Sequence, residues 1–170
     1  MGKLSWRDLL VWMREDQLIT IEEAERVSQR CAAASSGQHP LTRLSNITTH
    51  RASDGKPLDI EAMTQWLAKR CGLPYLRIDP LKVDVARVAD VMSINYAERH
   101  LLLPVSVTAS EVTVATCEPF ATEWISEVER QFHKRIALVL ASPSEISRYT
   151  TEFFSLARSV KVAQKAGGAT

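Results

Sequence analysis

Through the first seventy residues apolar side chains recur three and four positions apart, the period of a helix with one buried face. Trp6, Leu9, Leu10 and Met13 form the first such stripe, and Ser5 stands where an N-cap belongs. Thr20-x-x-Glu23 is a capping box: the threonine accepts from a free N–H while the glutamate reaches back to the cap. Ile19 and Ala24 hold the staple positions around it, and Val27 and Cys31 continue the stripe. A short helical segment over 41–48 lies between two loops, 34–40 and 51–57, rich in Ser, Gly, Asp and Pro. Asp59 then caps a helix carrying Ile60, Met63, Trp66, Leu67 and Cys71. Gly72 and Pro74 stop it.

Beyond Pro74 the pattern changes. Tyr75 to Ile78 predicts a short strand, and Asp84 caps a helix with Val85, Val88 and Met92 inward. Leu101–Val107 and Glu111–Thr116 predict two strands around Thr108-Ala109-Ser110, the second alternating as a half-buried strand does. A helix over 123–133 with Ile125, Val128 and Phe132 on one face leads to a third strand, Arg135–Leu140. Ser142-Pro143-Ser144-Glu145 combines a serine cap, proline at the first helical position and glutamate at the third. The helix it opens turns Ile146, Tyr149, Phe153 and Ala157 inward. The expected fold is α+β: a helical subdomain over 1–72, a small α/β subdomain over 73–157 with a three- or four-stranded sheet, and a linker over 158–170.

Composition narrows the function. Among 170 residues, 45% are hydrophobic and 24% charged, with a net charge of +1, so the chain can build a core but lacks the basic excess of a protein that tracks nucleic acid. No apolar run approaches the roughly 18–20 residues of a membrane span, and Met1 leads directly into an amphipathic segment with no secretory signal. Three separated cysteines, Cys31, Cys71 and Cys117, argue for a reducing, cytoplasmic setting. His39, His50, His100 and His133 have no partner at metal-ligand spacing and read as surface imidazoles. Glu22, Glu23, Glu127 and Glu129 read as solvated helix faces. No Gly-x-Ser-x-Gly elbow occurs, and Asp54-Gly55-Lys56-Pro57 has too few glycines, and a proline without an N–H, to cradle phosphate. The chain is therefore expected to be non-catalytic, with no metal or cofactor of its own. Trp66, Trp124, Phe132 and Tyr149 belong to cores; Trp12, with neighbouring Leu10 and Val11, is the candidate anchor for a partner.

One ordered set of segments goes further. Gly72-Leu73-Pro74-Tyr75-Leu76-Arg77-Ile78-Asp79-Pro80 is followed by Arg99-His100-Leu101-Leu102-Leu103-Pro104-Val105, by Ala115-Thr116-Cys117-Glu118-Pro119-Phe120, and by Ala141-Ser142-Pro143-Ser144-Glu145-Ile146. In order and spacing this resembles the N-terminal region of the GspE/PilB family, the hexameric ATPases of type II secretion and type IV pilus assembly. The resemblance covers residues 60–157 best. It implies an ATPase core, with its ATP and Mg, lying C-terminal to this region across a linker. It also implies docking on the cytoplasmic part of an inner-membrane platform protein, so that the chain sits at that membrane through its partner, without inserting. In some relatives the helical part binds cyclic di-GMP through two tandem motifs, each opening Arg-Leu-Gly and closing on glutamine. Here Arg43-Leu44-Ser45 opens without the glycine, Asp54-Gly55 interrupts the middle, and Arg70 stands at the closing glutamine. The first copy, around Arg7-Asp8-Leu9-Leu10 with Gln17 near the expected glycine, matches less, so the helical part looks like a degenerate MshEN-like module. The alternative function is thus cyclic di-GMP sensing through Arg43, Leu44 and Arg70.

Overall fold

The computed structural model describes residues 2–168, with side chains up to Ala163. Four helices make the N-terminal half. α1 (Trp6–Glu15) starts where Ser5 Oγ accepts from Asp8 N–H, α2 (Ile21–Ala33) where Thr20 Oγ1 accepts from Glu23 N–H, and α4 (Ile60–Cys71) where Asp59 accepts from Ala62 N–H. α3 (Pro40–Asn46) starts at His39, whose ring nitrogen takes Leu41 N–H. Gly72, at φ +71°, closes α4 in the left-handed conformation that glycine adopts without strain. The stripes meet as expected: Leu9, Met13, Val27, Leu41, Leu44, Met63 and Leu67 are buried in one core.

The second half is a small α/β unit. α5 (Val85–Ala89) and α6 (Ile94–His100) precede β1 (Leu102–Val107) and β2 (Glu111–Thr116); α7 (Trp124–Phe132) leads to β3 (Arg135–Leu140), and α8 (Pro143–Gly168) follows. The sheet order is β1-β2-β3, antiparallel across the first pair and parallel across the second, with α7 as the crossover. The β1–β2 register slips between Pro104 and Ser106, where proline has no N–H to give the ladder. Leu102, Leu103, Val114, Ala115, Trp124, Ile146 and Phe153 form the second core.

Four expectations need correction. Tyr75–Ile78 is not a strand: Tyr75 makes a single bridge with Leu140, and Ile78 N–H turns instead to the Glu145 carboxylate at 2.9 Å. The helix begun at Asp84 stops at Ala89, leaving Met92 buried outside it, and Ser93 caps an unanticipated helix, α6, by accepting Tyr96 N–H. The segment from 158, read as a linker, continues α8 without a break to Gly168; it holds no proline and is rich in Ala, Lys and Gln, all good helix formers. Arg158 to Ala163 are exposed along it, and Ala169 and Thr170 lie outside the described residues. Lastly, only half of each capping box forms. Thr20 and Ser142 accept their N–H groups, but the Glu23 and Glu145 carboxylates turn away to distant chain.

The two halves are clamped together. Leu140, at the end of β3, packs into the helical core, and Phe120 meets Trp12 edge-on with centroids 5.7 Å apart. Between them lies Glu118, 4% exposed. Its Oε2 accepts Leu4 N–H at 2.8 Å, while Oε1 lies 2.8 Å from His39 Nε2. His39 Nδ1 accepts Leu41 N–H at 3.2 Å, which leaves the other ring nitrogen beside the carboxylate. His39 is therefore a buried structural residue, not the surface imidazole expected. Glu118→Ala would leave Leu4 N–H without its acceptor, at a cost of about 1–3 kcal/mol. Urea denaturation should show a lower midpoint in the variant; an unchanged midpoint would mean that the carboxylate contributes nothing.

Candidate functional site

The residues singled out for a nucleotide, Arg43, Leu44 and Arg70, are each engaged within the fold. The Arg43 guanidinium donates to the Cys31 and Ala34 carbonyls, closing the C-terminal end of α2. These carbonyls have no partner inside the helix, so the arginine serves as its C-terminal cap. Leu44 is fully buried in the helical core. Arg70 donates to Asp16 at 2.8 Å and Glu15 at 2.9 Å and lies 5.3 Å above the Trp12 ring, tying the end of α4 to the end of α1. Trp66 Nε1 donates to the same Asp16 at 2.8 Å.

The proposed anchor patch also divides. Successive helical residues are about 100° apart, so Leu10, Val11 and Trp12 point to three directions. Leu10 is buried, Trp12 is half-buried between Phe120 and Arg70, and Val11 alone faces solvent, 44% exposed.

Val11 nevertheless belongs to an apolar concavity of the helical half. α1 and α2 pack side by side and leave a groove of about 430 Å³ between them. Trp6, Leu10 and Val11 line it from α1; Ile21, Ala24, Glu25 and Ser28 line it from α2. Ile21, just after the Thr20 cap, is 63% exposed, unusual for a large aliphatic side chain. Arg7 and Arg14 edge the groove on the α1 side, with the Arg7 guanidinium 4.4 Å from the Trp6 ring centroid. A partner with an apolar face can bury Val11 and Ile21 here. Hydrophobic periodicity alone could not find the groove, because Val11 and Ile21 fall outside the stripes that sequence reading assigns to the core.

The opposite flank of α2 is locked by a buried acid. Glu23 accepts from Arg26 Nε at 2.6 Å and from His50 N–H at 2.6 Å, with His50 Nδ1 also 2.6 Å away; Arg26 in turn donates to Thr48 O at 2.7 Å. Glu23 thus pins the loop after α3 to α2, and its expected place on a solvated face is wrong. Glu129 corrects the same way, accepting Ile136 N–H at 3.1 Å, whereas Glu22 and Glu127 are exposed. The bonded Arg26 guanidinium, opposed by burial and helped by His50, holds the Glu23 carboxyl at about 2, below its ordinary 4.5. A depressed acid stabilises the fold above its unfolded pKa, and the contribution is lost as pH falls through the folded value. Glu23→Gln should cost about 1–3 kcal/mol at pH 7. The difference from the unaltered chain should shrink below pH 4.5 and vanish near pH 2. Denaturation curves across that range check this; a pH-independent difference would contradict it.

Among the described residues no three His, Cys, Asp or Glu side chains are placed to hold a metal, and no helix is long and apolar enough to cross a membrane. Burial raises the Cys31, Cys71 and Cys117 thiols above their ordinary range, the opposite of nucleophile activation.

Comparison with known proteins places this architecture. The sequence model of the MshEN domain matches residues 71–160. That span covers the α/β half and most of the stretch on which the resemblance was strongest. A type IV pilus assembly ATPase, TfpB of Acinetobacter baylyi, is 38% identical over 130 residues, 75% of this chain. The chain spans only 22% of the length of that relative. The structure of MshE with cyclic di-GMP (cdg) superposes with a TM-score of 0.60 at 13% identity, covering 89% of this chain and 99% of the other. The N-terminal domain of XpsE superposes with a TM-score of 0.54 at 18% identity, covering 89% and 97%. At these identities the two structures establish a shared fold.

Proposed function

The chain belongs to the MshEN domain family, as an N-terminal region of the GspE/PilB type, and from that premise we propose that it docks an ATPase motor onto its assembly machine. The partner in this reading is the cytoplasmic part of an inner-membrane platform protein, which would hold the motor at the membrane. The motor's own core, with the phosphate loop, ATP and Mg, would follow C-terminally. This region contributes a binding surface and no bond-making step. The observation that carries the reading is the α1–α2 groove, where the large aliphatic side chains of Val11 and Ile21 are exposed.

Cyclic di-GMP sensing through Arg43, Leu44 and Arg70 asks more of the molecule. Arg43 would have to leave the end of α2, Arg70 would have to leave Glu15 and Asp16, and Leu44 would have to come out of the core. Docking asks for no rearrangement.

Calorimetric titration of the chain with the platform protein's cytoplasmic part tests this. Saturable binding is expected, at least tenfold weaker in Val11→Asp and in Ile21→Asp, each exposed enough to leave the fold intact. Cyclic di-GMP titrated in parallel should give no saturable heat. Nucleotide binding that Arg43→Ala abolishes, without platform binding, would replace docking with sensing.

A further inference from the structure

The groove has two walls of opposite charge. Arg7 and Arg14 edge it on α1, and Glu25 edges it on α2. Among the described residues neither arginine has a carboxylate within 4.0 Å, since Glu15 and Asp16 serve Arg70 and Glu23 serves Arg26. An arginine left unpaired beside an apolar surface keeps its full bidentate capacity for an incoming carboxylate. Arg7 is also held in place rather than free to swing, because its guanidinium stacks on Trp6.

Spacing adds a second constraint. Arg7 and Arg14 are seven residues apart on one helix, two turns or about 10 Å along the axis. Val11 lies between them on the same edge, and Ile21 faces it from α2. The groove continues past the end of α1, where Arg14 and Ile21 also line an adjoining depression with Gln17, Thr20 and Ala52. A long trough between two helices fits a third helix laid into it, ridge into groove. It presents no free strand edge for a β-strand to extend.

Resting on the docking reading above, we propose that the partner segment in this groove is an amphipathic helix of defined polarity of charge. Its apolar face covers Val11 and Ile21. One edge carries carboxylates seven residues apart that meet Arg7 and Arg14, and the other edge carries a cation that meets Glu25. An anionic membrane surface is the poorer occupant. Glu25 would be driven against it, and a chain of net charge +1 offers little long-range attraction.

The test measures affinity for the platform protein's cytoplasmic part at low and high salt. The chain is compared with the double variant Arg7→Glu/Arg14→Glu and with Arg30→Glu, an exposed arginine on α2 outside the groove. The milder Arg7→Gln/Arg14→Gln pair serves if a circular-dichroism melt shows that the charge reversal disturbs α1. The expected result is at least a tenfold loss in the double variant, no change in Arg30→Glu, and weaker binding of the unaltered chain at high salt. Hydrogen exchange on the partner should then protect one helical segment with acids at that spacing. Affinity within twofold in both double variants, or protection confined to a strand or loop, overturns this inference and leaves docking standing. Absence of binding by the unaltered chain removes the docking reading itself, and this one with it.

Discussion

Glu118 is a carboxylate withdrawn from water without a lysine or arginine to neutralise it, so its stability depends on the donors gathered around it. Leu4 N–H, at the start of the chain, donates to it, and the His39 ring at the head of α3 lies beside it. Both belong to the helical half, while Glu118 itself leaves the end of β2. Separating the halves would therefore open more than a hydrophobic seam: it would also break the Leu4–Glu118 hydrogen bond that ties them, and any shift that kept Glu118 buried without that donor would leave a polar group uncompensated. Trp12 against Phe120 and Leu140 within the helical core then pack around a geometry already set.

The same device recurs on a smaller scale. Glu23 and Glu145 each stand at the third position of a helix whose cap is a hydroxyl, and each gives up the local reach-back to bind chain far away. Glu23 holds His50, 27 residues on, and Glu145 holds Ile78, 67 residues back. Helix N-termini favour negative charge, so a carboxylate stationed there is stable before any tertiary partner arrives. The loops it later captures gain a satisfied N–H without needing a strand or helix of their own.

This explains what was legible from residues alone. Helices with strict spacing and hydroxyl or aspartate caps, α1, α2, α4 and α8, could be read directly, because their stripes and caps are local signals. The alternating β2 and the two strands beside it were equally plain. Tyr75 to Ile78 makes no strand because its pairing stops after Leu76 N–H meets Leu140 O, and Ile78 N–H goes to the Glu145 side chain, which no local pattern announces. His39, Glu23 and Glu129 leave the surface through groups on other segments, Glu118, His50 and Ile136, which a helix-face pattern does not include. The candidate groove was half visible, since Val11 was named for it while Ile21, on another helix, was not. Leu10, named with Val11, also lines the groove, whereas Trp12, their neighbour in sequence, is half-buried against Phe120 and Arg70.

The helix that ends the described chain has a mechanical reading. α8 is 26 residues long, about 39 Å of continuous rod, anchored near its start by Ile146 and Phe153 in the α/β core. Beyond Ala157, the last buried position among the described side chains, some 16 Å of it runs on, exposed from Arg158 to Ala163. A loose tether forgets the direction in which it left a domain within a few residues, whereas a rod keeps it. A tilt of about 10° in the α/β body would swing the far end of this helix by about 3 Å. Orientation, and not merely proximity, is thus transmitted along it.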